Sequence, residues 1–481
     1  MQDPRHENLE RFVAHPRKAI WTLAVPMIGG MLFHAAYSVL NTVFVGSLGP
    51  EALAAITFVG PVFFVSMAIS EGLASGVTAV IAQAVGRGDA READVASSNA
   101  LTLSMGIGFL LSMLGHLAGP SLLEELGAEG GTVEQAWAYF VILVWGIPLF
   151  FLSSALRAVL TGEGDSRTPM IVLAVATGLN AALDALFIWG LGMGIEGAGY
   201  ATLLAQVLSL LVFGTLIYFR RGGAFPFHAA LLLPQKGVVF RVFAIGGPAA
   251  ASQLVMSAGM MLGNKLLSHF GQVVVAGFGA ASRMDMIVAL PVIGLAGAAV
   301  ALIGMFAGAG RADLVRSTTL YAIRWALLLT AGLGTAVYLA SDTIMGAFTE
   351  DVEAARIGLL YYRYMLMAYP LMAVGMITSR VLQGLGHGLP PLVITVMRLG
   401  IGLGLGYVLV YHFDAPVERV WMSLVLGGFL SLLVGVAWLV QVVWRGDPTR
   451  RATARSKGSP GAAGPSTLES ALSSRNQGTL R

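Results

Sequence analysis

Residues 155–169, ALRAVLTGEGDSRTP, are echoed by residues 379–391, SRVLQGLGHGLPP. Gly162, Gly164 and Pro169 stand 222 positions before Gly384, Gly386 and Pro391. Working outward from this pair, the offset stays at 222 without an insertion. It matches Pro26 with Pro248, Leu40 with Leu262, Gly49 with Gly271, Gly72 with Gly294, Gly86 with Gly308 and Gly88 with Gly310. Further on it matches Tyr139 with Tyr361, Pro148 with Pro370, Gly178 with Gly400 and the run 209–212 with 431–434. Apolar residues align by chance in an apolar chain, but aligned glycines and prolines do so less often, so the chain is a tandem duplication.

Composition says what is duplicated. Of 481 residues, 56% are hydrophobic and 11% charged, against roughly 45–50% and about 25% in soluble domains. Runs of the roughly 20 apolar residues that cross a bilayer as a helix fall at 19–45, 52–84, 96–114, 133–155, 168–189, 198–219, 238–267, 273–307, 314–339, 354–383, 389–411 and 420–443. The expected fold is an all-α integral membrane protein of twelve transmembrane helices in two six-helix lobes. An even number of spans per copy makes both copies enter the membrane the same way, related by a pseudo-two-fold axis along its normal. The expected organisation is a cytoplasmic N-terminal segment 1–18, an N-lobe 19–219, an inter-lobe linker 220–237, a C-lobe 238–444 and a disordered tail 445–481. Duplicated lobes around a cleft suit alternating access around a midplane site.

Orientation follows from charge. Arg5, Arg11, Arg17 and Lys18 precede the first span, and no signal-peptide pattern is seen there. Arg87, Arg91, Arg167, Arg220, Arg221, Lys236, Arg241, Arg311, Arg316 and Arg445 share that side, while the outer loops proper hold only Arg419. The positive-inside bias puts both termini in the cytoplasm of a cell whose plasma or inner membrane holds the chain. With 29 Lys+Arg against 26 Asp+Glu, nucleic acid is not an expected partner. With no cysteine, thiolate catalysis and zinc-thiolate sites are excluded. No Walker loop or Ser/His/Asp constellation is present, so the chain reads as neither an ATP-driven pump nor an enzyme, and no cofactor is expected. Gly400, Gly402, Gly404 and Gly406 alternate inside a span and signify close helix packing.

Ionisable residues inside spans are functional candidates by default, and the duplication supplies a control. Asp184, Asn180, Asn41, Thr202 and Glu71 correspond to Gly406, Gly402, Gly263, Leu424 and Ile293. The polar cluster therefore belongs to the N-lobe. Asn180 lies one helical turn before Asp184 on the same face. Asn41, Asp184 and Thr202 each fall roughly 7–8 Å inside the outer ends of their spans at 1.5 Å per residue. A carboxylate, two amides and a hydroxyl can take a hard cation, and a desolvated carboxyl can carry a proton. Glu71 and His34 are secondary candidates, with a salt bridge as the plainer reading of Glu71. Asp285 and Arg283 point to different faces, and a structural role is expected of them. Lys265, Arg363, Arg324 and Arg398 are expected to snorkel or pair. Pro26, before Gly29 and Gly30, is a candidate hinge. Phe33, Tyr37, Met256, Met260 and Met261 are candidates to line a promiscuous cleft.

The segments PMIGGMLFHAAYSVLNTVFVGSLGPEALAA, AQAVGRGD, ALRAVLTGEGDSRTP, SRVLQGLGHGLPP and LNAALDALFIWGLGMGIEGAGYAT together resemble the multidrug and toxic compound extrusion family over about residues 17–445. The resemblance is to members that keep their ion site in the N-lobe, the DinF-like and archaeal-like branch. It implies two lobes in a V, exporting cationic or amphipathic organic compounds in exchange for H+ or Na+, and a monomer is expected. The ion site so implied is Asn180, Asp184, Thr202 and the backbone of Ala198, with Pro26 as the bending point; any metal would be Na+ at Asp184. Family members usually carry Asp where this chain has Asn41, and a single carboxylate favours H+. Alternatives are a lipid-linked saccharide flippase, which would need several basic cavity residues, and a receptor or scaffold that transports nothing.

Overall fold

A computed structural model describes residues 4–125, 131–220, 233–349 and 351–453. Inside a membrane every backbone polar group must be satisfied within its own element, which selects helices. Among the described residues all regular structure is helical. A short α1 (Pro4–Ala14) precedes the N-lobe helices α2 (Pro16–Gly46), α3 (Pro50–Gly86), α4 (Ala90–Glu125), α5 (Gly131–Gly162), α6 (Arg167–Asp184) and α7 (Gly194–Arg220). The C-lobe holds α8 (Lys236–Ser268), α9 (Gln272–Gly308), α10 (Ala312–Leu339), the short α11 (Ser341–Phe348), α12 (Val352–Gly384), α13 (Leu389–Phe413) and α14 (Val417–Val440), followed by α15 (Arg450–Thr453). Twelve of these are long and apolar enough to cross a membrane.

The duplication recurs in the backbone. Both bounds of α9 lie 222 residues after those of α3. Left-handed glycines pair at the same offset: Gly49 with Gly271 (φ 105° and 97°), Gly88 with Gly310 (71° and 72°) and Gly164 with Gly386 (87° and 83°). A side chain at these turns would be strained, which is why glycine persists in both copies.

The lobes meet along α3 and α9 at the end that carries the termini. Gly86 lies against the carbonyl of Met305, and Gly308 against that of Gln83, leaving no room for a Cβ. Gln83 and Met305 are themselves 222 apart, so the contact is self-complementary about the pseudo-two-fold axis. Hydrogen bonds cross the interface from Ser75 Oγ to Gln383 Oε1 at 2.8 Å, from Gln83 Nε2 to the Gly384 carbonyl at 2.8 Å, and from Trp21 Nε1 to the Tyr321 hydroxyl at 3.2 Å. One apolar core spans both lobes there, running through Ile20, Leu23, Ile81, Leu295, Ile303 and Leu382. At the other end the cores are separate. Phe44, Phe140, Phe151 and Ile188 serve the N-lobe, and Leu266, Tyr361, Tyr362 and Trp421 the C-lobe. The cleft is therefore sealed at the terminal end and open at the opposite one.

Within the expected polar segment 1–18, Pro4–Ala14 form α1, which buries Leu9 and Phe12 under the sealed end. Arg5 pairs there with Asp94 at 2.6 Å and Glu163 at 3.0 Å. The tail expected to be disordered from 445 is ordered as far as 453. The reason is local docking: Ala452 is buried, Arg87 donates to its carbonyl, and Arg316 Nε donates to the Val443 carbonyl at 2.9 Å. Residues 454–481 lie outside the described residues, as do linker residues 221–232.

Candidate functional site

Helix α6 changes its hydrogen bonding at Asp184, beyond which Ala185–Gly190 form a π-helical turn. Such turns concentrate at functional sites because they displace one side chain from the regular register. Asp184 is 0% exposed. Asn180, one turn earlier, has its amide best satisfied when it donates to Asp184 Oδ2 at 2.8 Å and to the Tyr37 hydroxyl at 3.2 Å. Its oxygen then accepts from the Thr202 backbone N–H at 3.3 Å. The Thr202 hydroxyl donates to the Ala198 carbonyl at 3.0 Å. Buried Tyr139 on α5 stands within electrostatic range of Tyr37 and Asp184. Asp184 Oδ1 has no hydrogen-bond partner among the described residues. A buried carboxyl with a free oxygen is costly unless something fills the gap, and this one faces polar atoms from α2, α6 and α7.

Four expected site residues are thus brought together: Asp184, Asn180, Thr202 and Ala198. Asn41 is half-buried one turn beyond Tyr37 and makes no hydrogen bond among the described residues. The hydroxyl of Tyr37 is what α2 contributes to the cluster, so a residue expected to line the cleft also binds inside the site.

A second cluster lies above the sealed floor. Arg157 on α5 pairs with Glu71 on α3 and donates to Ser154 Oγ at 3.1 Å. Both remain accessible, at 42% and 35% of their side chains. Arg380 on α12 reaches across from the C-lobe, within electrostatic range of Glu71, and donates to Gln383 Oε1 at 3.0 Å and Ser75 Oγ at 3.4 Å. Exposed His34 stands within range of both Glu71 and Arg157. Its ring is 6.5 Å from that of Tyr37, linking the two clusters along α2. No local pattern in the sequence singles out either arginine. The repeat carried a signal for them, because Arg157 corresponds to Ser379 and Arg380 to Ala158.

The remaining candidates scatter. Asp285 accepts from the hydroxyls of Tyr361 and Tyr369, each at 2.6 Å, and ties α9 to α12. Pro26 is buried in an α2 that runs on as a single helix, and Phe33, Met260, Met261, Lys265 and Arg363 are exposed. Arg398 turns inward, donating to Met256 Sδ at 2.9 Å. Among the described residues no group of three or more His, Cys, Asp or Glu could hold a metal ion.

The chain is similar to known transporters along most of its length. It is 25% identical over 414 residues, covering 85% of this chain and 89% of the relative, to a protein of Thermotoga maritima named probable multidrug resistance protein NorM. It is 26% identical over 387 residues, 79% of this chain and 85% of the relative, to a protein of Shewanella oneidensis named FAD transporter. A solved structure described as the outward-facing conformation of a multidrug resistance MATE family transporter of the MOP superfamily superposes with a TM-score of 0.84. That structure is 30% identical and covers 89% of this chain and 96% of its own. The MatE family model matches twice, at residues 26–186 and 248–408, segments that begin and end 222 residues apart, and the chain belongs to that family.

Proposed function

We propose that this protein is a secondary active antiporter that exports cationic or amphipathic organic compounds in exchange for an inward-moving ion. The observation that carries the reading is Asp184, wholly buried with Oδ1 unpartnered amid polar atoms from three helices. The present arrangement accepts a proton on Oδ1 without rearrangement. A Na+ ion would need the Asn180 amide, whose nitrogen faces Asp184, to turn its oxygen inward. H+ is therefore the proposed ion, and the branch is the one with its ion site in the N-lobe.

The arginine-rich loops lie at the sealed end, so the positive-inside bias supports cytoplasmic termini in a plasma or inner membrane and a cleft open to the outside. In that state an external ion reaches Asp184 while solute departs. Helix α2 couples the two events. Tyr37 belongs to the ion cluster, Trp21 and Ile28 touch the C-lobe, and Pro26 lies between the two C-lobe contacts. Loading Asp184 pulls on Tyr37, bends α2 at Pro26 where a backbone hydrogen bond is missing, and loosens the seal. The names of the two relatives, a multidrug resistance protein and a FAD transporter, support organic solutes as cargo at the level of class. The protein acts as a monomer in this reading.

The test is solute export from proteoliposomes with Na+ and pH gradients imposed separately. A pH gradient alone should drive export. Export driven by Na+ alone would reassign the ion, and export indifferent to both would overturn the antiporter.

A further inference from the structure

At the bottom of the cleft the charges do not balance. Arg157 and Arg380 face a single carboxylate, Glu71, and the pairing is unequal: Arg157 is bonded to Glu71, whereas the hydrogen-bond partners of Arg380 are the neutral oxygens of Gln383 and Ser75. A guanidinium held among neutral acceptors in a low-dielectric cleft carries a strong unspent field. Two solvent-accessible side chains sit beside it, Glu71 and Arg157, and below it the floor is closed by the shared core.

We infer that this cluster is an anion-recognition subsite, in which Arg380, with Arg157 beside it, receives the carboxylate or phosphate group of an amphipathic solute. The subsite rests on the reading of the cleft as the solute pathway, and it extends the cargo from cations to solutes with an acidic head. Glu71 is the placeholder of the empty state: an incoming anion competes with it for Arg157 and takes the free donors of Arg380. Because Arg380 and Gln383 belong to α12 while Ser75 and Glu71 belong to α3, the subsite straddles the lobes. An anion bound there meets the same residues that hold the floor shut.

Binding is measured on the full chain in phosphatidylcholine nanodiscs, without an ion gradient, by fluorescence anisotropy of pyrenebutyrate and of its neutral amide. The wild type should bind the carboxylate at least about tenfold more tightly than the amide, the factor expected of a charge-assisted hydrogen bond. R380Q should bring the two within about threefold, and R380K should restore the preference. Displacement of pyrenebutyrate by phosphatidylglycerol in the disc would identify a lipid headgroup as the natural anion. Displacement by inorganic phosphate would identify a soluble one, and either outcome supports the subsite. Equal binding of carboxylate and amide by the wild type overturns it, whether or not R380Q folds. Since no gradient is applied and Asp184 is untouched, that failure leaves ion coupling standing. Absence of gradient-driven export with the carboxylate preference intact would sink the antiporter alone.

Discussion

Helices α6 and α7 of the N-lobe and α13 and α14 of the C-lobe are the same pair of a gap-free repeat, yet they are built to opposite ends. In the C-lobe, Gly402 and Gly406 let α14 come in close. A Cβ at Gly406 would stand 2.9 Å from Ser423 Oγ, and one at Gly402 3.2 Å from Leu424 Cα. Ser423 Oγ then donates to the Gly402 carbonyl at 2.8 Å, and α13 runs unbroken past this point. In the N-lobe the matching positions are Asn180 and Asp184, and α6 gives way to a π-helical turn immediately after Asp184. Side chains that keep the helices apart make a polar pocket, and glycines that bring them together remove it. One lobe thus keeps a polar pocket where its copy packs solid.

The sharpest break of this comparison is between the intramembrane acids of the two lobes, Asp184 and Asp285. Asp184→Asn should reduce export in proteoliposomes to the level of protein-free vesicles while the protein still inserts and folds. Asp285→Ala should leave gradient-driven export in place and instead lower stability in detergent by about 1–3 kcal/mol, because two buried tyrosine hydroxyls lose their acceptor. Equal loss of coupling in both variants would erase the distinction between the lobes.

A smaller effect sharpens it. Grafting the N-lobe residues into the C-lobe as Gly402→Asn with Gly406→Asp should overpack α13 against α14, costing about 1–3 kcal/mol. It should not rescue Asp184→Asn, since Leu424 stands where the second lobe would need Thr202. Thermal unfolding and transport of the triple variant check the two statements.

The smallest effect lies in the loops that opened the sequence. Asp165 accepts from the backbone N–H groups of Arg167 and Thr168 at the start of α6, but its counterpart is His387. Burial, with Arg451 nearby, pushes the His387 imidazole down to about 4. The unfolded chain takes up that proton near pH 6.5 and the folded one only near 4, so folded stability falls as pH drops through this window and levels off below it. His387→Gln should flatten that slope in melting curves run from pH 7 to pH 4.

Much of the fold could be read from the chain because a bilayer enforces it locally. The twelve spans and the duplication depend on composition and period. Asp184 and Asn180 were legible for the same reason: a spacing of four puts them on one helical face, and the glycines at their repeat positions mark them as dispensable to the fold. Arg157 and Arg380 were not, because each lies near a helix end where an arginine ordinarily snorkels, and no local pattern says that it turns inward. From the sequence Tyr37 is only a candidate for the cleft wall, since nothing along α2 reveals that Asn180 of α6 lies beside it. The helix at 450–453 is not evident from composition, because what holds it is the bond from Arg87, far away in the chain, to the Ala452 carbonyl.

What the sequence by itself determined is a twelve-helix duplicated membrane protein with one lobe bearing an acid and its copy bearing glycine, since backbone satisfaction in lipid and helical periodicity act over neighbouring residues. Tertiary structure alone decided which end of the cleft is sealed, that Glu71 is held by Arg157, and that Arg380 crosses from the other lobe to stand beside them. These are encounters between helices brought together by close glycine packing, and the distance between two side chains on different helices is a property of that packing rather than of either helix.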